Sequence, residues 1–187
     1  STTMPRKVYD HHKKAGNQGD VIKHVALIAA LDKVLDEHRA LTFCYADIYA
    51  GYAHNPLIKG NEWKHGIGKL WRRQEADNNQ HTAMYSKWYL SRPQLVGGMY
   101  PGSSLIASDM CASKGKNVSL SLWDNSPPVI ADLSKVFHGQ GHSIFSRPAD
   151  PDDSEVQSAH FLLIDPPSKD DYWSSIRGFL KRPNQAV

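Results

Sequence analysis

The tripeptide Asp165-Pro166-Pro167 directly follows an apolar run, Phe161 to Ile164, and carries two kinds of hydrogen-bond acceptor. Prolines fix the backbone and donate no N–H of their own, so the Asp165 carboxylate and the Pro166 carbonyl are suited to accept both N–H bonds of an exocyclic amine. Such a pair localises the nitrogen lone pair and aims it at a sulfonium methyl group. The alternative is a turn that only ends a strand, since proline stops strand pairing in any case.

Two further acids follow stretches that are rich in strand-forming residues. Asp47 begins the segment Asp47-Ile-Tyr-Ala-Gly51, whose small residues allow a nucleoside to approach the backbone, although an ordinary turn has the same composition. Asp124 follows Val118 to Trp123, and its carboxylate is suited to accept from two ribose hydroxyls. It is equally suited to cap a helix that begins near Pro127.

Two glycine-containing turns lead into predicted helices. The segment from Ala15 to His24 places Lys23 and His24 in the first turns of its helix, where an ordinary cap with solvated charges is the alternative. The segment from Tyr100 to Ala107 leaves N–H groups and hydroxyls at a helix start, which suits an anion or a carboxylate. A serine N-cap is the alternative there.

Helices and strands must bring these distant residues together. Apolar residues recur at three- and four-residue steps from Val21 to Leu35, which predicts a helix with Asp20 as its N-cap. Strand-forming runs predict four strands, Leu41 to Ile48, Val118 to Trp123, Ser143 to Phe145 and His160 to Ile164. Helical patterns lie between them, over residues 60–92 and from Pro128 to Phe137. This order predicts an α/β fold with a doubly wound, mostly parallel sheet, in which ligands bind beyond the carboxyl ends of the strands.

Composition limits the class of protein. The chain has 187 residues, 40% hydrophobic and 22% charged, which fits one globular domain with neither a membrane-spanning stretch nor a leader. Cys44 and Cys111 form no CxxC pair, which indicates a reducing compartment, the cytoplasm or an organellar matrix. His138 and His142 lack a third nearby ligand, so we predict a loop and no metal site. Basic residues are concentrated in the N-terminal arm and over residues 59–73, where they form either a solvated face or a face for phosphates.

Four motifs, taken together and in order, resemble those of the RlmJ-type 23S ribosomal RNA adenine-N6 methyltransferases. They are Ala-Gly-Asn-Gln-Gly-Asp-Val-Ile-Lys-His (15–24), Asp-Ile-Tyr-Ala-Gly (47–51), Tyr-Pro-Gly-Ser-Ser-Leu-Ile-Ala (100–107) and Leu-Ile-Asp-Pro-Pro (163–167). The resemblance extends from Tyr9 to Tyr172 and implies a Rossmann-like class I S-adenosylmethionine-dependent methyltransferase with a helical subdomain inserted after the first strand. We therefore expect a single methyltransferase-like domain over residues 1–187, with an N-terminal arm and motif at 1–24 and the helical insert at 57–99.

The resemblance also implies the roles of individual residues. The residues at the catalytic and RNA-facing end are Tyr9, His11, Lys23, Asp165 and Pro166. The residues that contact the cofactor are His24, Asp47, Tyr49, Gly51, Ser103, Asp124 and Asp165. S-adenosylmethionine is the implied cofactor, without a metal, and ribosomal RNA is the implied partner. The target base would be splayed out of the folded RNA while the basic arm and insert hold the flanking phosphates.

The chain departs from the family pattern in its cofactor loops. Tyr49 and Ala53 replace a histidine and a glycine of the first loop. Arg147-Pro148-Ala149 replaces an Asp-Gly that contacts the adenine of the cofactor, and Asp150 is displaced from that position. These changes leave the affinity for the cofactor open.

Two further departures concern the target base and the sheet. Ser168 stands where the family has an aromatic residue that stacks on the base, which leaves that role to Tyr172 or Trp173. Only 20 residues follow Pro167, so three further family strands are missing, and we expect the strand at 160–164 to be covered by a protein partner or by self-association. Two hypotheses follow: an active adenine-N6 methyltransferase, and a catalytically inactive methyltransferase-like subunit with a structural or binding role in a larger assembly.

Overall fold

The computed structural model describes residues 14–57, 62–69, 98–139, 141–167 and 172–181. The chain divides into two compact units, Ser1–Ala26 with Asn55–Tyr100, and Leu27–His54 with Pro101–Val187. The expected single domain, with its arm and insert, stays a prediction. Tyr9, His11, Ser168 and most of the helical pattern over residues 60–92 lie outside the described residues. Within the described ranges, no helix is long and apolar enough to cross a membrane.

A four-stranded parallel sheet forms the centre of the second unit. The described strands are, in chain order, Thr42–Asp47 (β1), His54–Pro56 (β2), Met99–Pro101 (β3), Asn117–Trp123 (β4), Ser143–Phe145 (β5) and Phe161–Leu163 (β6). The order in the sheet is β5-β4-β1-β6, and all of its pairings are parallel, whereas β2 and β3 form a separate pair. The four predicted strands are thus confirmed to within one residue at either end, and so is the Rossmann-like α/β fold.

Burial on both faces explains why β1 and β4 occupy the centre of this sheet. Phe43 and Tyr45 are fully buried on one face of β1, and Ala46 is fully buried on the other. In β4, every residue from Leu120 to Trp123 is buried. Continuous burial along a strand is typical of a parallel sheet that is covered on both faces, and it gives the apolar runs that identify these strands in the sequence.

The described helices lie between and around the strands as the sequence predicts, except for a short helix between β5 and β6, where the sequence predicted a loop. They are Gln18–Glu37 (α1), Ser103–Ser113 (α2), Pro127–Val136 (α3), Ser154–Gln157 (α4) and Tyr172–Arg177 (α5), with 3-10 turns at Glu62–His65 and Phe179–Lys181. The prediction of a helix around Pro128 to Phe137 is confirmed by α3. Residues 62–69 contain the 3-10 turn and the beginning of a helical segment, and the rest of the predicted insert lies outside the described residues.

The predicted N-cap of α1 is wrong by about one turn. The helix begins at Gln18, and the Asn17 side-chain oxygen accepts the Asp20 backbone N–H at 3.0 Å. The Asp20 carboxylate in turn accepts the Gly16 backbone N–H at 2.9 Å. Asn17 is therefore the cap, and Asp20, the third residue of the helix, accepts the N–H of the residue before the cap. The error arose because the apolar stripe begins only at Val21.

The order of the strands defines a crevice at the carboxyl ends of the strands. From β1 the chain continues to β4 and β5 on one side, and it returns to the other side of β1 for β6. This reversal is the topological switch point, where open α/β sheets bind ligands beyond the carboxyl ends of their strands. Asp47 ends β1 and Asp165 lies two residues after β6, so both flank the switch point.

Candidate functional site

Three carboxylates lie at the carboxyl edge of the sheet in the second unit. Asp47 is the last residue of β1, Asp124 follows β4, and Asp165 follows β6. These strands are neighbours, and neighbouring strands are about 4.8 Å apart, so one ligand of nucleoside size can span the three positions. The structure thus brings together three acids that are up to 118 positions apart in the sequence.

Asp47 is fully buried and contacts protein groups on several sides. Its carboxylate accepts from the Ser103 hydroxyl at 2.6 Å, from the Tyr45 hydroxyl at 3.2 Å and from the Tyr49 backbone N–H at 3.3 Å. Burial raises the pKa of Asp47 from 3.8 to about 6, and the nearby Asp165 charge adds to the rise. Asp47 therefore joins β1 to the start of α2, and Ser103 contacts it directly.

Asp124 supports the loop that follows β1. One of its carboxylate oxygens accepts the Gly51 N–H at 3.1 Å, and the other accepts the Ser126 N–H at 2.8 Å. The N-cap of α3 is Ser126, so the interpretation of Asp124 as a helix cap is wrong. Each carboxylate oxygen has a second lone pair, which leaves Asp124 able to accept from ribose hydroxyls as well.

Asp132 is a residue of this site that sequence reasoning missed. One oxygen of its carboxylate, on α3, accepts the backbone N–H groups of Ala53 at 2.7 Å and of His54 at 3.3 Å. The Ala53 carbonyl accepts from the N–H of Gly102, the N-cap of α2, at 2.8 Å. Asp132 therefore fixes the loop after β1, which in turn fixes the start of α2. The available signal was an acid next to the core residue Leu133 on an amphipathic helix.

The loop after β1 has most of its backbone donors satisfied within the second unit. The N–H of Ala50 donates to the Trp123 carbonyl at 3.0 Å, and the donors of Tyr49, Gly51, Ala53 and His54 are held by Asp47, Asp124 and Asp132. A ligand at this edge therefore meets carboxylates rather than a cradle of free N–H groups. That chemistry suits hydroxyls and cationic groups, and it does not suit the phosphates of a dinucleotide.

Replacing Asp132 by alanine is expected to lower the free energy of unfolding by about 1 to 3 kcal/mol, because two partly buried backbone N–H groups lose their acceptor. Asp132→Asn keeps an acceptor oxygen and should lose less. Urea denaturation measures both changes. Asp36→Ala, which removes an exposed helical carboxylate paired with Lys114, is the control and should change stability by well under half of the Asp132→Ala effect. Equal losses in Asp132→Ala and Asp36→Ala would contradict the role of Asp132.

The Asp165-Pro166 pair lies at the switch point. The Ile48 N–H donates to the Leu163 carbonyl at 3.3 Å, which extends the contact between β1 and β6 towards this pair. Pro166 is buried, whereas Asp165 is only partly buried. The pair therefore has a fixed backbone at a place that a ligand can reach.

In the first unit, His24 forms a close pair with Tyr100. The His24 Nδ1 atom lies 2.9 Å from the Tyr100 hydroxyl, and the two rings stack with centroids 5.3 Å apart. Burial lowers the pKa of His24 to about 3, and the charge of Lys23 adds to the shift, so the imidazole is neutral at physiological pH. Lys23 itself is exposed on α1. Tyr9 and His11, which are expected at the catalytic and RNA-facing end together with Lys23, lie outside the described residues.

The loop after β5 carries an arginine in place of the acid that the family pattern has there. The Arg147 guanidinium donates to both carboxylate oxygens of Asp153, at 2.8 and 2.9 Å, and to the Pro148 carbonyl at 3.0 Å. The Asp150 backbone N–H also donates to Asp153. Arg147 thus occupies the end of β5 in a fixed position.

Metal ligation finds no support among the described residues, where no group of three or more His, Cys, Asp or Glu side chains is arranged to hold an ion. The Nδ1 atom of His142 accepts the Leu120 backbone N–H at 3.2 Å, so this nitrogen pairs with β4. The His142 side chain therefore forms a hydrogen bond with a strand of the sheet.

The residues at the edge fit the cofactor that the motifs imply. S-adenosylmethionine carries a ribose diol, an amino group and a sulfonium, and the carboxylates of Asp124 and Asp165 offer acceptors and negative charge for such groups. At the start of α2, the fully buried Ser104 hydroxyl has no hydrogen-bond partner among the described residues. The donor and acceptor set thus matches a sulfonium nucleoside.

Comparisons with known proteins agree with the motifs. No family model matches the sequence. The chain is 30% identical, over 131 residues, to the protein named "Ribosomal RNA large subunit methyltransferase J" of Haemophilus influenzae; the match covers 65% of this chain and 44% of that protein. The fold of this chain is similar to the crystal structure of a DUF519 protein from Legionella pneumophila, with a TM-score of 0.67 and 23% sequence identity. This match covers 87% of this chain and 61% of that one.

The two comparisons differ in what they establish. At 23% identity the structural match shows the fold alone, whereas the sequence match is to a protein of the family that the motifs resemble. The chain spans less than half of the length of the curated relative and about three fifths of the structural one. The resemblance to the family of ribosomal RNA large subunit methyltransferase J is therefore confirmed in sequence, and the chain has the Rossmann-like fold that this resemblance implies.

Proposed function

We propose that this chain is an S-adenosylmethionine-dependent methyltransferase that acts on adenine N6 of ribosomal RNA. The observation that carries the proposal is the position of Asp165-Pro166 at the switch point, beside Asp47 of the neighbouring strand. The name of the Haemophilus influenzae relative supports ribosomal RNA as the substrate. The carboxylate-lined edge supports a sulfonium cofactor over a phosphate-bearing one.

In the proposed mechanism, Asp165 and Pro166 position the target amine. The Asp165 carboxylate and the Pro166 carbonyl accept its two N–H bonds, so the nitrogen lone pair points away from them. S-adenosylmethionine, when bound, supplies an electrophilic methyl group on a positively charged sulfur. Asp124 accepts from the ribose hydroxyls and thereby holds the cofactor across the ends of β4 and β1. The hydroxyl of Ser103 belongs to the cofactor side in this proposal, and the resemblance assigns the same role to the half-buried, neutral His24.

We propose that the first unit binds the RNA. Lys23, Lys64 and Lys69 are exposed there, and basic side chains bind phosphates without reading the sequence. A base of folded RNA must leave its stack before an exocyclic amine can enter a pocket. The resemblance assigns Tyr9 and His11 to the RNA-facing end. In the second unit, which carries Asp165, Trp173 has 71% of its surface exposed and is available to stack on the target base.

We further propose that a polypeptide, either a protein partner or a second copy of this chain, covers the free edge of β6. Among the described strands, β6 pairs with β1 alone. Unpaired parallel edges are rarely left bare. This edge also favours the second candidate function, an inactive subunit of a larger assembly. Sedimentation of the purified chain tests self-association.

Cys44 and Cys111 are both free thiols, which supports a reducing compartment, either the cytoplasm or an organellar matrix.

Transfer of a tritium-labelled methyl group to protein-free ribosomal RNA tests the proposed function. We expect the chain to label adenine, and a full-length relative assayed in parallel serves as the positive control. Calorimetry with S-adenosylmethionine separates the two candidates. Cofactor binding without transfer, or no binding at all, would favour the inactive subunit, whereas labelled N6-methyladenine would exclude it.

A further inference from the structure

Three side chains are layered at the carboxyl ends of β4 and β5. Trp123, the last residue of β4, stacks on Phe145, the last residue of β5, with ring centroids 4.7 Å apart and planes inclined by 19°. The Arg147 guanidinium carbon lies 5.0 Å from the Phe145 centroid. Trp123 is fully buried, whereas 46% of the Arg147 side chain is exposed. The layers therefore run from the core to the surface and end on a guanidinium.

The guanidinium is held in place along one edge. Both of its terminal nitrogens donate to Asp153, at 2.8 and 2.9 Å, and one of them also donates to the Pro148 carbonyl at 3.0 Å. An exposed ion pair of this kind contributes little to stability. Its main consequence is orientation, because a planar fork with two parallel hydrogen bonds has few remaining rotamers.

The order of the strands indicates which part of a nucleoside ligand lies near Arg147. Asp165, after β6, is the proposed reacting end, and Asp124, after β4, is the proposed acceptor for the ribose. The sheet order β5-β4-β1-β6 places these two on one side of β5. With the sulfur towards Asp165 and the ribose at Asp124, the base extends in the opposite direction, towards the end of β5. Arg147 follows β5 by two residues.

We propose that Arg147 is the stacking platform for the nucleobase of the cofactor, and that it binds the face of the base rather than its hydrogen-bonding edge. This inference rests on the proposed function. Guanidinium planes stack on nucleobases, and stacking tolerates different bases because every base has a π-face. The arginine would therefore replace hydrogen bonding from an acid with stacking at this position.

Binding of S-adenosylhomocysteine and of its inosine analogue by calorimetry tests the proposal on the full chain. We expect Arg147→Ala and Arg147→Lys each to weaken the binding of both ligands by about tenfold, because lysine keeps the charge and loses the plane. Lys114→Ala removes a half-buried cation outside the proposed site, whose ammonium lies 2.8 Å from Asp32, and should leave both affinities within about twofold of wild type. Thermal unfolding of each variant shows whether the fold is retained.

Three results would overturn the proposal. Wild-type affinity in Arg147→Lys would show that the charge alone suffices, and a loss confined to the adenosine ligand would show that Arg147 contacts the edge of the base. Wild-type affinity in Arg147→Ala would exclude any contact with the ligand. These results differ from a wild-type chain that binds neither ligand, which would contradict the proposed function and this inference together.

Discussion

Replacement of Asp165 by alanine is expected to lower the rate of methyl transfer to ribosomal RNA by about a hundredfold or more. Asp165 follows β6 at the switch point, and the buried Pro166 beside it fixes the local backbone. Alanine removes one of the two acceptors that are proposed to hold the target amine. A reacting atom that moves by about 1 Å loses a factor of about one hundred, so the effect should appear in kcat. Single-turnover transfer of labelled methyl groups measures it.

Two further variants make this experiment specific. Asp165→Asn keeps one acceptor oxygen and should retain more activity than Asp165→Ala. Asp152 is an exposed acid in the loop after β5, whose backbone N–H donates to the Asp150 carboxylate at 2.8 Å. Asp152→Ala should transfer methyl groups at the wild-type rate. An increase in KM with an unchanged kcat in Asp165→Ala would show that Asp165 only binds a ligand, and would contradict its role in positioning the amine.

The fold was accessible from the sequence because its strands are apolar and its two central strands, β1 and β4, are largely buried on both faces. Burial of Leu120 to Trp123 produces a run of strand-forming residues that local composition reveals, and the half-buried residues Phe161 to Leu163 form a similar apolar run. Proline at the start of α3 marks a helix boundary in the same local way. The prediction of the N-cap of α1 was wrong because Asn17 and Asp20 are both good capping residues, and the apolar stripe alone does not say which of them precedes the helix.

The side-chain contacts of the site were not accessible in this way, since they join distant parts of the chain. The Asp47 and Ser103 pair spans 56 positions, and the contact between Asp132 and Ala53 spans 79. A motif can identify Asp47 and Ser103 as members of one site. It does not show that they contact each other, because that depends on how α2 begins beside β1. Asp132 belongs to no motif and became apparent only through its acceptor role.

The carboxylate of Asp47 is expected to make the stability of the fold depend strongly on pH. Its pKa is about 6 in the folded chain and 3.8 ordinarily, mainly because burial disfavours the charge. A folded pKa above the unfolded one means that the folded chain takes up the proton first, so this group stabilises the fold as the pH falls from about 6 to 3.8. Above pH 6 the contribution is lost, because the buried charge must be maintained.

The fold of the second unit also contains groups with the opposite dependence. The Nδ1 atoms of His142 and His160 accept the backbone N–H groups of Leu120 and Cys44, and burial lowers the pKa of both histidines. Because their pKa values in the folded chain lie below 6.5, the two histidines contribute fully to the stability of the fold above that pH, and this contribution decreases as the pH falls. Because any variant of Asp47 keeps both histidines, their contribution cancels when it is compared with the wild type.

We therefore expect the difference in unfolding free energy between the wild type and Asp47→Asn to shift in favour of the wild type as the pH falls from 7 to 4. The shift should approach about 3 kcal/mol, which is about 1.4 kcal/mol for each pH unit between the two pKa values. Urea denaturation at each pH measures it. Asp47→Ala leaves Ser103 and Tyr45 without their acceptor and should be less stable throughout, yet it must show the same shift, because it lacks the same titrating group. A difference that stays constant with pH in both variants would mean that the Asp47 carboxylate keeps an ordinary pKa in the folded chain, which would contradict its full burial.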